Sequence, residues 1–233
     1  MSTLLMRLAA PLQSWGADSK FEDRRATMRE PTKSGVIGML ASALGRRRED
    51  AISDLSALRF GVRVDQPGQL LRDYHTAKSR DGKKAYVTQR YYLSDAVFTV
   101  GLEGNDELLY IIEKALSSPA FPLYLGRRSC PPVGRLSLGI SDNALEKALR
   151  ETPWQASLVM QKRASYSDVT SNLSLVLDAT DTRNLRRRDL PLSFSQSYRK
   201  HVYRCLVDIP DTVPVHNTFE TKHDAFGSVG EEI

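Results

Sequence analysis

Residues 33–45, KSGVIGMLASALG, are the clearest element of the sequence and the point from which the fold can be worked out. Their apolar side chains recur at the spacing of one helix face: Val36, Ile37, Met39, Leu40, Ala43 and Leu44. Thr32 stands at the N-cap position, and Gly45 stands where a C′ glycine ends many helices. The pattern predicts a helix over 33–45, with the arginines at 46–48 next to the negative end of its dipole.

Strand patterns surround this helix in a recognisable order. Apolar alternation or short apolar runs predict strands at 3–9, 59–65, 70–76, 91–101 and 121–125. Asn105 precedes a second predicted helix, DELLYIIEKALSS, which carries acids at its positive end. This order resembles the ferredoxin-like (RRM) βαββαβ plan, an α+β fold with both helices on one face of the sheet. The other face is expected to be free, and RNA-binding domains of this plan commonly use it.

A basic segment, 77–90, separates two of those strands and is predicted to be a long hairpin. Asp81-Gly82 at its middle favours a tight turn. Basic and aromatic side chains are interleaved along it: Lys78, Arg80, Tyr86, Lys83, Lys84, Arg90, Tyr91 and Tyr92. Single-stranded nucleic acid binds to such mixtures, with charge for its phosphates and rings for its bases. Taken alone, the composition also fits a solvated surface hairpin.

The second half of the chain is less regular. A short helix is predicted at 143–150 and strands at 173–178 and 202–209, which suggests a small, mostly β region after a boundary near 140. Residues 183–204 hold seven Arg and Lys against Asp189 alone, and 208–233 hold six acids against one lysine. The net charge of +5 favours a polyanionic partner, although both stretches also fit solvated surfaces.

Several functional classes find no support in the sequence. Cys130 and Cys205 lack metal-ligand spacing, the four histidines are scattered, and neither a nucleophile elbow nor a Cys/His pair is present. We expect no metal and no cofactor. The apolar run at the N-terminus is short and contains Arg7, so neither a signal peptide nor a membrane span is predicted, and we expect a cytoplasmic protein.

Three short stretches could hold a polyanion. Pro31-Thr32-Lys33-Ser34-Gly35 offers a helix N-terminus with hydroxyls and a lysine, without P-loop spacing. Gln13-Ser14-Trp15-Gly16 follows the first strand, so Trp15 either stacks on a base or closes the end of the core. Tyr124-Leu125-Gly126-Arg127-Arg128 pairs two arginines with a glycine turn that would fix their direction. Each also fits an ordinary structural role.

Together these stretches resemble the Cas-five subunit family of CRISPR effector complexes (RAMP superfamily), in particular its type I-E branch. The resemblance rests on four motifs in register over residues 3–140: LAAPLQSWG at 8–16, PTKSGVIG at 31–38, LRDYHT at 71–76 and YLGRRSCP at 124–131. It implies a ferredoxin-like (RAMP) domain at 1–140 with a thumb hairpin at about 77–91, and a smaller C-terminal region at 141–233. In this family the subunit caps the 5′ handle of the crRNA within Cascade.

The resemblance also implies partners and a set of binding residues. The partners are the crRNA handle, the large and backbone subunits of Cascade and, through the complex, target DNA in antiviral defence; no membrane is implied. The expected RNA-binding residues are Gln13, Ser14, Trp15, Arg24, Thr32, Lys33, Ser34, Tyr74, His75, Thr76, Lys83, Lys84, Arg90, Arg127, Arg128 and Arg199. The thumb is expected to form one wall of a shared site, with Trp15, Lys33 and the two arginines of the glycine turn as the other walls.

Three functional hypotheses follow. The first is a non-catalytic cap of the guide RNA, because in type I-E systems a different subunit cuts the precursor. The second is a metal-independent endoribonuclease, as in the related type I-C branch, with Tyr74, His75 and Lys78 as catalytic residues. The third is an RNA-binding protein that acts outside any complex.

Overall fold

The structure, a computed structural model, describes residues 2–16, 24–165, 172–179, 181 and 185–214, and these residues form a mixed, sheet-rich fold with few helices. The described strands are β1 Ser2–Ala9, β2 Leu12–Gln13, β3 Arg24–Arg25, β4 Arg59–Gln66, β5 Gln69–Lys78, β6 Ala85–Ser94, β7 Val97–Gly104, β8 Ser137–Ser141, β9 Asn172–Asp178, β10 Leu185–Ser193 and β11 Lys200–Pro214. The described helices are α1 Lys33–Ala43, α2 Ser53–Ser56, α3 Asp106–Ser117, α4 Leu145–Glu151 and α5 Leu158–Ser165. None of these helices has the length and apolar character needed to cross a membrane.

The ends of α1 and α3 confirm the capping residues read from the sequence. The Thr32 hydroxyl accepts a hydrogen bond from the Gly35 amide at 3.3 Å, and the Asn105 side chain caps α3. Gly45 has φ +75, a backbone conformation that a side chain would strain. Its amide and that of Arg46 donate to carbonyls in the last turn of α1, which is the Schellman pattern. Local chemistry therefore determines where both helices begin and end.

The main sheet has seven antiparallel strands in the order β10-β11-β9-β4-β7-β1-β8. One face of its central strands packs against α1 and α3. Alternate residues of β1 and β4 point into that core, and the predicted apolar face of β4 is confirmed. The fully buried apolar side chains that these two strands contribute to this core are Leu4, Met6, Leu8, Phe60 and Val62.

The opposite face of the sheet is covered, so the expectation of a free face for RNA is wrong. Leu145 and Leu149 of α4 lie directly over Gly61 and Gly101. A Cβ atom at Gly101 would lie 2.6 Å from Leu145 Cδ1, and one at Gly61 would lie 2.9 Å from Leu149 Cδ1. A second apolar cluster, formed by α4, β9 and Leu5, buries this face. The helix was predicted at 143–150, but its position on the sheet depends on the two glycines beneath it.

A second, smaller sheet is built on the hairpin of β5 and β6. The hairpin runs from Gln69 to Ser94 and is longer than the predicted 77–91, although its turn lies at Asp81-Gly82 as expected. β2 pairs with β6 antiparallel, and β3 pairs with it in parallel. The strand predicted at 91–101 is confirmed at 91–94 and 97–101, but its continuity is wrong because Asp95, with φ 54, divides it into β6 and β7. The chain leaves the hairpin sheet at that residue and enters the main sheet.

The predicted strand at 121–125 is also wrong, since the segment is a loop. Pro122 lacks an amide donor, and Leu125 uses its backbone groups on Cys130 and Ser14 rather than on a strand ladder. The fourth strand of the predicted βαββαβ plan is instead β8, which begins at Ser137. β10 was missed because its run of arginines hides the apolar alternation, and α2 and α5 were missed because they are short.

The C-terminal strands belong to the same sheet as the N-terminal ones. β9 pairs with β4, and β11 lies between β9 and β10. The strands predicted at 173–178 and 202–209 are confirmed, and the second extends to Pro214. The division near residue 140 stays a prediction, and the strands on its two sides share one sheet. Most of the acidic stretch 208–233 lies outside the described residues.

Candidate nucleic-acid interface

A cleft of about 890 Å³ opens between α1, the loop that follows α1, the loop around Gly126 and the beginning of β11. Seven arginines line it: Arg25, Arg46, Arg47, Arg48, Arg127, Arg188 and Arg199. Among the described residues that line the cleft there is no Asp or Glu. Clefts lined by one sign of charge concentrate counter-ions and raise the rate at which oppositely charged ligands arrive. The cleft is therefore the strongest candidate site for a polyanion.

The N-terminus of α1 does not serve as the phosphate site that the sequence suggested. Its first amide, on Lys33, donates to Asp189 Oδ2 at 2.9 Å, so a carboxylate of the chain itself occupies the positive end of the helix. The Lys33 ammonium lies 2.9 Å from Asp178 Oδ2 and is buried. Thr32 is fully buried as the N-cap, and only Ser34 of the predicted trio is partly exposed. Lys33 is therefore not a wall of the cleft.

Arg204 completes this buried group of four charges. Its guanidinium donates to Asp189 at 2.6 and 3.0 Å and to Asp178 at 2.5 Å. Burial lowers the pKa of Arg204, but hydrogen bonds and charges of both aspartates outweigh that cost and leave its pKa raised. Two cations balance two anions here. The group joins β9, β10 and β11 to the start of α1, so it holds one edge of the cleft in place.

Trp15 closes the core, which is the second of the two readings that the sequence left open. Its side chain is 1 % exposed, and its indole nitrogen donates to Gln13 Oε1 at 3.1 Å. The Gln13 amide in turn donates to the carbonyls of Leu8 and Ala96. The buried indole has no open face for a base, so base stacking by Trp15 is a prediction that this geometry contradicts. Gln13 has its side chain fully engaged and buried as well.

The loop around Gly126 places Arg127 at the cleft. Arg127 Nη2 donates to the Arg25 carbonyl at 3.0 Å, and its guanidinium lies 4.6 Å from the centre of the Tyr92 ring. Arg128 is exposed and does not line the cleft. The turn thus separates the two arginines, and only the first of them faces the cleft.

The hairpin residues of the predicted site lie outside the cleft lining. Tyr74, His75 and Thr76 are exposed on β5, and Lys83 and Lys84 are exposed at the turn. Successive residues of a strand point to opposite faces, so His75 lies on the face opposite Tyr74 and Lys78. These three side chains do not converge on one phosphate, which is what the endoribonuclease hypothesis requires.

The tertiary structure brings some of the expected RNA-binding residues to the cleft and leaves others outside it. Of the expected residues, the following line the cleft: Ser14, Trp15, Thr32, Ser34, Arg127 and Arg199. Arg90 lies on β6, opposite Arg25 of β3, and does not itself line the cleft. The side chain of Arg24 lies outside the described part of the chain. Lining residues outside the expected RNA-binding set are Arg25, Arg46, Arg47, Arg48, Tyr124, Arg188, Phe194, His201 and Tyr203. The triple arginine after α1 and the basic stretch 183–204 carried a signal for most of them.

The positive charge of the cleft comes from its arginines, and this charge also affects the protonation of His201. Arg46 is held by Asp54 in a two-pronged ion pair at 2.6 and 2.5 Å, whereas Arg47 and Arg48 are exposed. Burial lowers the pKa of His201, and the positive charges of Arg199 and Arg188 lower it further. His201 is therefore neutral at physiological pH and can donate and accept hydrogen bonds. Within the described ranges, no cluster of His, Cys, Asp or Glu could hold a metal ion.

Comparison with known proteins assigns the family. The family profile of the CRISPR-associated protein (Cas_Cas5) matches residues 3–206, which is most of the chain. The chain belongs to the Cas5 family. A Cas5 relative, the CRISPR system Cascade subunit CasD of Escherichia coli (strain K12), is 41% identical over 160 residues, which cover 59% of this chain and 70% of the relative.

Two solved structures share the fold of this Cas5 chain. One, described as a crystal structure of Cas protein, is 39% identical with a TM-score of 0.70 over 91% of this chain and 95% of its own. The other, from a CRISPR RNA-guided surveillance complex, is 34% identical with a TM-score of 0.73 over 91% of each chain. The Cas5 fold therefore extends over the C-terminal strands as well as over the motifs of the N-terminal half.

Proposed function

We propose that this Cas5 chain is a non-catalytic subunit of a type I-E Cascade effector that binds and caps the 5′ handle of crRNA. It would thereby help to assemble the complex for target DNA recognition in antiviral defence. The observation that carries the proposal is the cleft of seven arginines with no carboxylate among its described lining residues. The similarity to CasD and to a chain of an RNA-guided surveillance complex supports the same role.

The chemistry of the cleft suits an irregular single strand. Arginine forks pair with phosphate oxygens in two-pronged fashion, and each contact releases counter-ions from the RNA. Phe194, Tyr203 and Tyr124 also line the cleft and supply rings on which splayed bases can stack. A handle that is held in this way would have a fixed shape, because phosphate contacts set the register while ring contacts select exposed bases.

The fold supports a division of labour within the subunit. In the proposal β4, β7, β1 and β8 form the ferredoxin-like (RAMP) unit with α1 and α3, and the strand order and antiparallel pairing fit that plan. The hairpin of β5 and β6 acts as the thumb and reaches the adjacent backbone subunit and the first guide segment. Its exposed apolar residues suit such contacts: Leu70, Leu71, Tyr74, Tyr86 and Val87. The large subunit is the other expected neighbour.

A cutting role has weaker support. Tyr74 and His75 lie on opposite faces of β5, so an acid and a base at these positions do not flank the same phosphate. Incubation of the pure chain with precursor RNA in EDTA tests this part of the proposal. A single cut within the repeat would contradict the non-catalytic role and leave RNA binding intact.

Neutralising exposed cleft arginines tests the role in RNA binding. We expect the triple variant R47Q/R48Q/R188Q to retain much less RNA when the tagged chain is purified with its partner subunits. These side chains are exposed, so the fold should tolerate the changes. In direct binding to single-stranded RNA, the slope of log K against log salt should fall by roughly 2, because up to three phosphate contacts are lost.

The matched control removes the same charge elsewhere. The variant K114Q/R135Q/K147Q also removes three exposed cations, all of them outside the cleft lining. It should retain RNA as the unchanged protein does. An equal loss of RNA from both variants would show that net charge, rather than the cleft, holds the RNA. Full retention of RNA by both variants would show that these cleft arginines do not hold it. Either result would contradict the proposal.

A further inference from the structure

Three arginines from separate elements meet where the hairpin joins the cleft. Arg25 of β3 pairs with Arg90 of β6 in a parallel ladder, so their side chains lie on one face of the small sheet. Tyr92 stands two residues further along β6 and shares that face. Arg127 packs on the Tyr92 ring and donates to the Arg25 carbonyl, which places the third guanidinium beside the backbone of β3 and the ring of β6. We call Arg25, Arg90 and Arg127 the root cluster.

The root cluster contains buried donors that none of the described residues satisfies. Arg25 Nε, Arg90 Nε and Arg127 Nη1 are each shielded from solvent and have no hydrogen-bond partner in the part of the chain that the structure describes. Asp73 lies opposite Arg90 in the hairpin register, but the two form no ion pair within the described residues. Native proteins leave few buried donors unpaired, and cations of like charge are rarely brought together without an anion between them. The root cluster therefore lacks an acceptor for these donors.

We propose that the root cluster is a separate subsite for one backbone phosphate of single-stranded RNA, bound at the base of the hairpin. The proposal rests on the proposed function and deepens it. A phosphate offers several acceptor oxygens in a small volume, which suits donors from three neighbouring arginines. A carboxylate offers two oxygens in one plane and leaves one arginine unmatched. Arg25 and Arg127 also line the cleft, so an RNA strand in the cleft passes this point.

The subsite would couple RNA binding to the position of the hairpin. Its ligands come from β3, β6 and the loop around Gly126, so one phosphate would tie the hairpin to the body of the protein. Without the phosphate, like charges at the root repel one another and the attachment is weaker. Bound RNA would therefore select one orientation of the hairpin from those available to the free protein.

Substitution of Arg90 by methionine separates this subsite from a structural role. Methionine keeps the apolar stem and removes the unpaired donor together with its charge. In chloride buffer, the melting temperature of R90M should equal or exceed that of the unchanged chain, because a buried unsatisfied group is gone. Inorganic phosphate, compared with chloride at the same ionic strength and pH, should raise the melting temperature of the unchanged chain and not that of R90M.

RNA binding is measured with a uridine homopolymer, and R135M serves as the control. Arg135 is exposed and does not line the cleft. R90M should lower the slope of log K against log salt by about 0.7, as expected for one phosphate contact on a single strand. Hydrogen exchange of β6 should slow on RNA binding in the unchanged chain and in R135M, and remain fast in R90M.

Two results would overturn the subsite. One is an equal response of R90M and the unchanged chain to phosphate and RNA. The other is a loss of stability in R90M that is as large in chloride as in phosphate, which would indicate a structural arginine. If the subsite fails while R47Q/R48Q/R188Q still loses RNA, the proposed function stands. If Arg90 governs the phosphate response but the chain carries no RNA from cells, the proposed function fails instead.

Discussion

At the scale of single residues, the group of four buried charges determines what α1 can do. Asp189 accepts from the first amide of α1 and from two nitrogens of Arg204, and Asp178 joins Arg204 to Lys33. Each charge has an opposite partner at hydrogen-bond distance, which is the condition under which buried charges are tolerated. The group uses the helix N-terminus and its lysine for structure, and phosphate binding is left to the arginines of the cleft.

Replacing Asp189 by asparagine should unfold the protein more easily. The change leaves Arg204 buried with one fewer anion, and breaking a buried pair from one side costs about 3–5 kcal/mol. Urea unfolding followed by circular dichroism measures this loss. As a control, E146Q breaks the exposed pair with Arg150 on α4 and should cost less than about 0.5 kcal/mol. Similar costs for both variants would show that the buried group contributes little.

At the scale of elements, the loop from Tyr124 to Cys130 is positioned by its contact with the end of β2. Ser14 donates its amide to the Leu125 carbonyl at 3.2 Å, and Gly126 lies against the Ser14 carbonyl. A Cβ atom at Gly126 would lie 1.6 Å from that oxygen, and φ there is +86. Both facts require glycine. The contact directs Arg127 to the cleft and to Tyr92.

Gly126→Ala should therefore be costly in two ways. The positive φ costs about 1–2 kcal/mol for any side chain, and displacement of the loop adds about 1–3 kcal/mol. The variant should also bind single-stranded RNA more weakly, because Arg127 moves with the loop. Unfolding and RNA binding are measured on the same preparation.

Gly134→Ala is the matched control for that prediction. Gly134 has φ +78, and a Cβ atom there would meet nothing within 4 Å. Only the conformational cost of about 1–2 kcal/mol is expected, with unchanged RNA binding. If the two variants behave alike, the contact between the loop and β2 does not position Arg127.

At the scale of the whole molecule, the C-terminal half is part of the main core. β9 continues the sheet from β4, and α4 covers the face opposite α1 and α3. Arg63 on β4 is 1 % exposed and donates to the Leu149, Thr152 and Pro153 carbonyls at the end of α4. Two apolar clusters, one on each face, are thus linked through a single sheet.

A chain that ends at Ser141 should fail to fold cooperatively. It exposes the edge of β4 and the face beneath α4. It also removes the α4 carbonyls that accept from Arg63 and the Asp178 carboxylate that pairs with Lys33. Near-ultraviolet circular dichroism and urea unfolding would detect the loss. A chain that ends at Pro214 should keep a cooperative transition, since it retains every described residue of both clusters. A cooperative transition in the shorter chain would contradict this account.

The amino-acid sequence alone determined the helix ends, the buried face of β4 and the hairpin turn, because each depends on residues that are close along the chain. The caps Thr32 and Asn105, the glycine stop at Gly45, the alternation in β4 and the Asp-Gly turn each act within a few positions, so their chemistry is visible in the sequence. The four motifs in register also indicated the family, which the Cas5 profile confirms. The strands β1, β4 and β5 and the helices α1 and α3 followed from the same local patterns.

Only the tertiary structure decided which cations are available to a ligand. Lys33 and Arg204 are neutralised by Asp178 and Asp189, which lie far from Lys33 along the chain, whereas Arg47, Arg48 and Arg188 gather in one cleft. Trp15 lies in the core, and α4 covers the sheet face that was expected to be open. The physical reason is the range of the interaction. Capping and alternation act between neighbours, but burial and charge pairing depend on residues that only folding brings together.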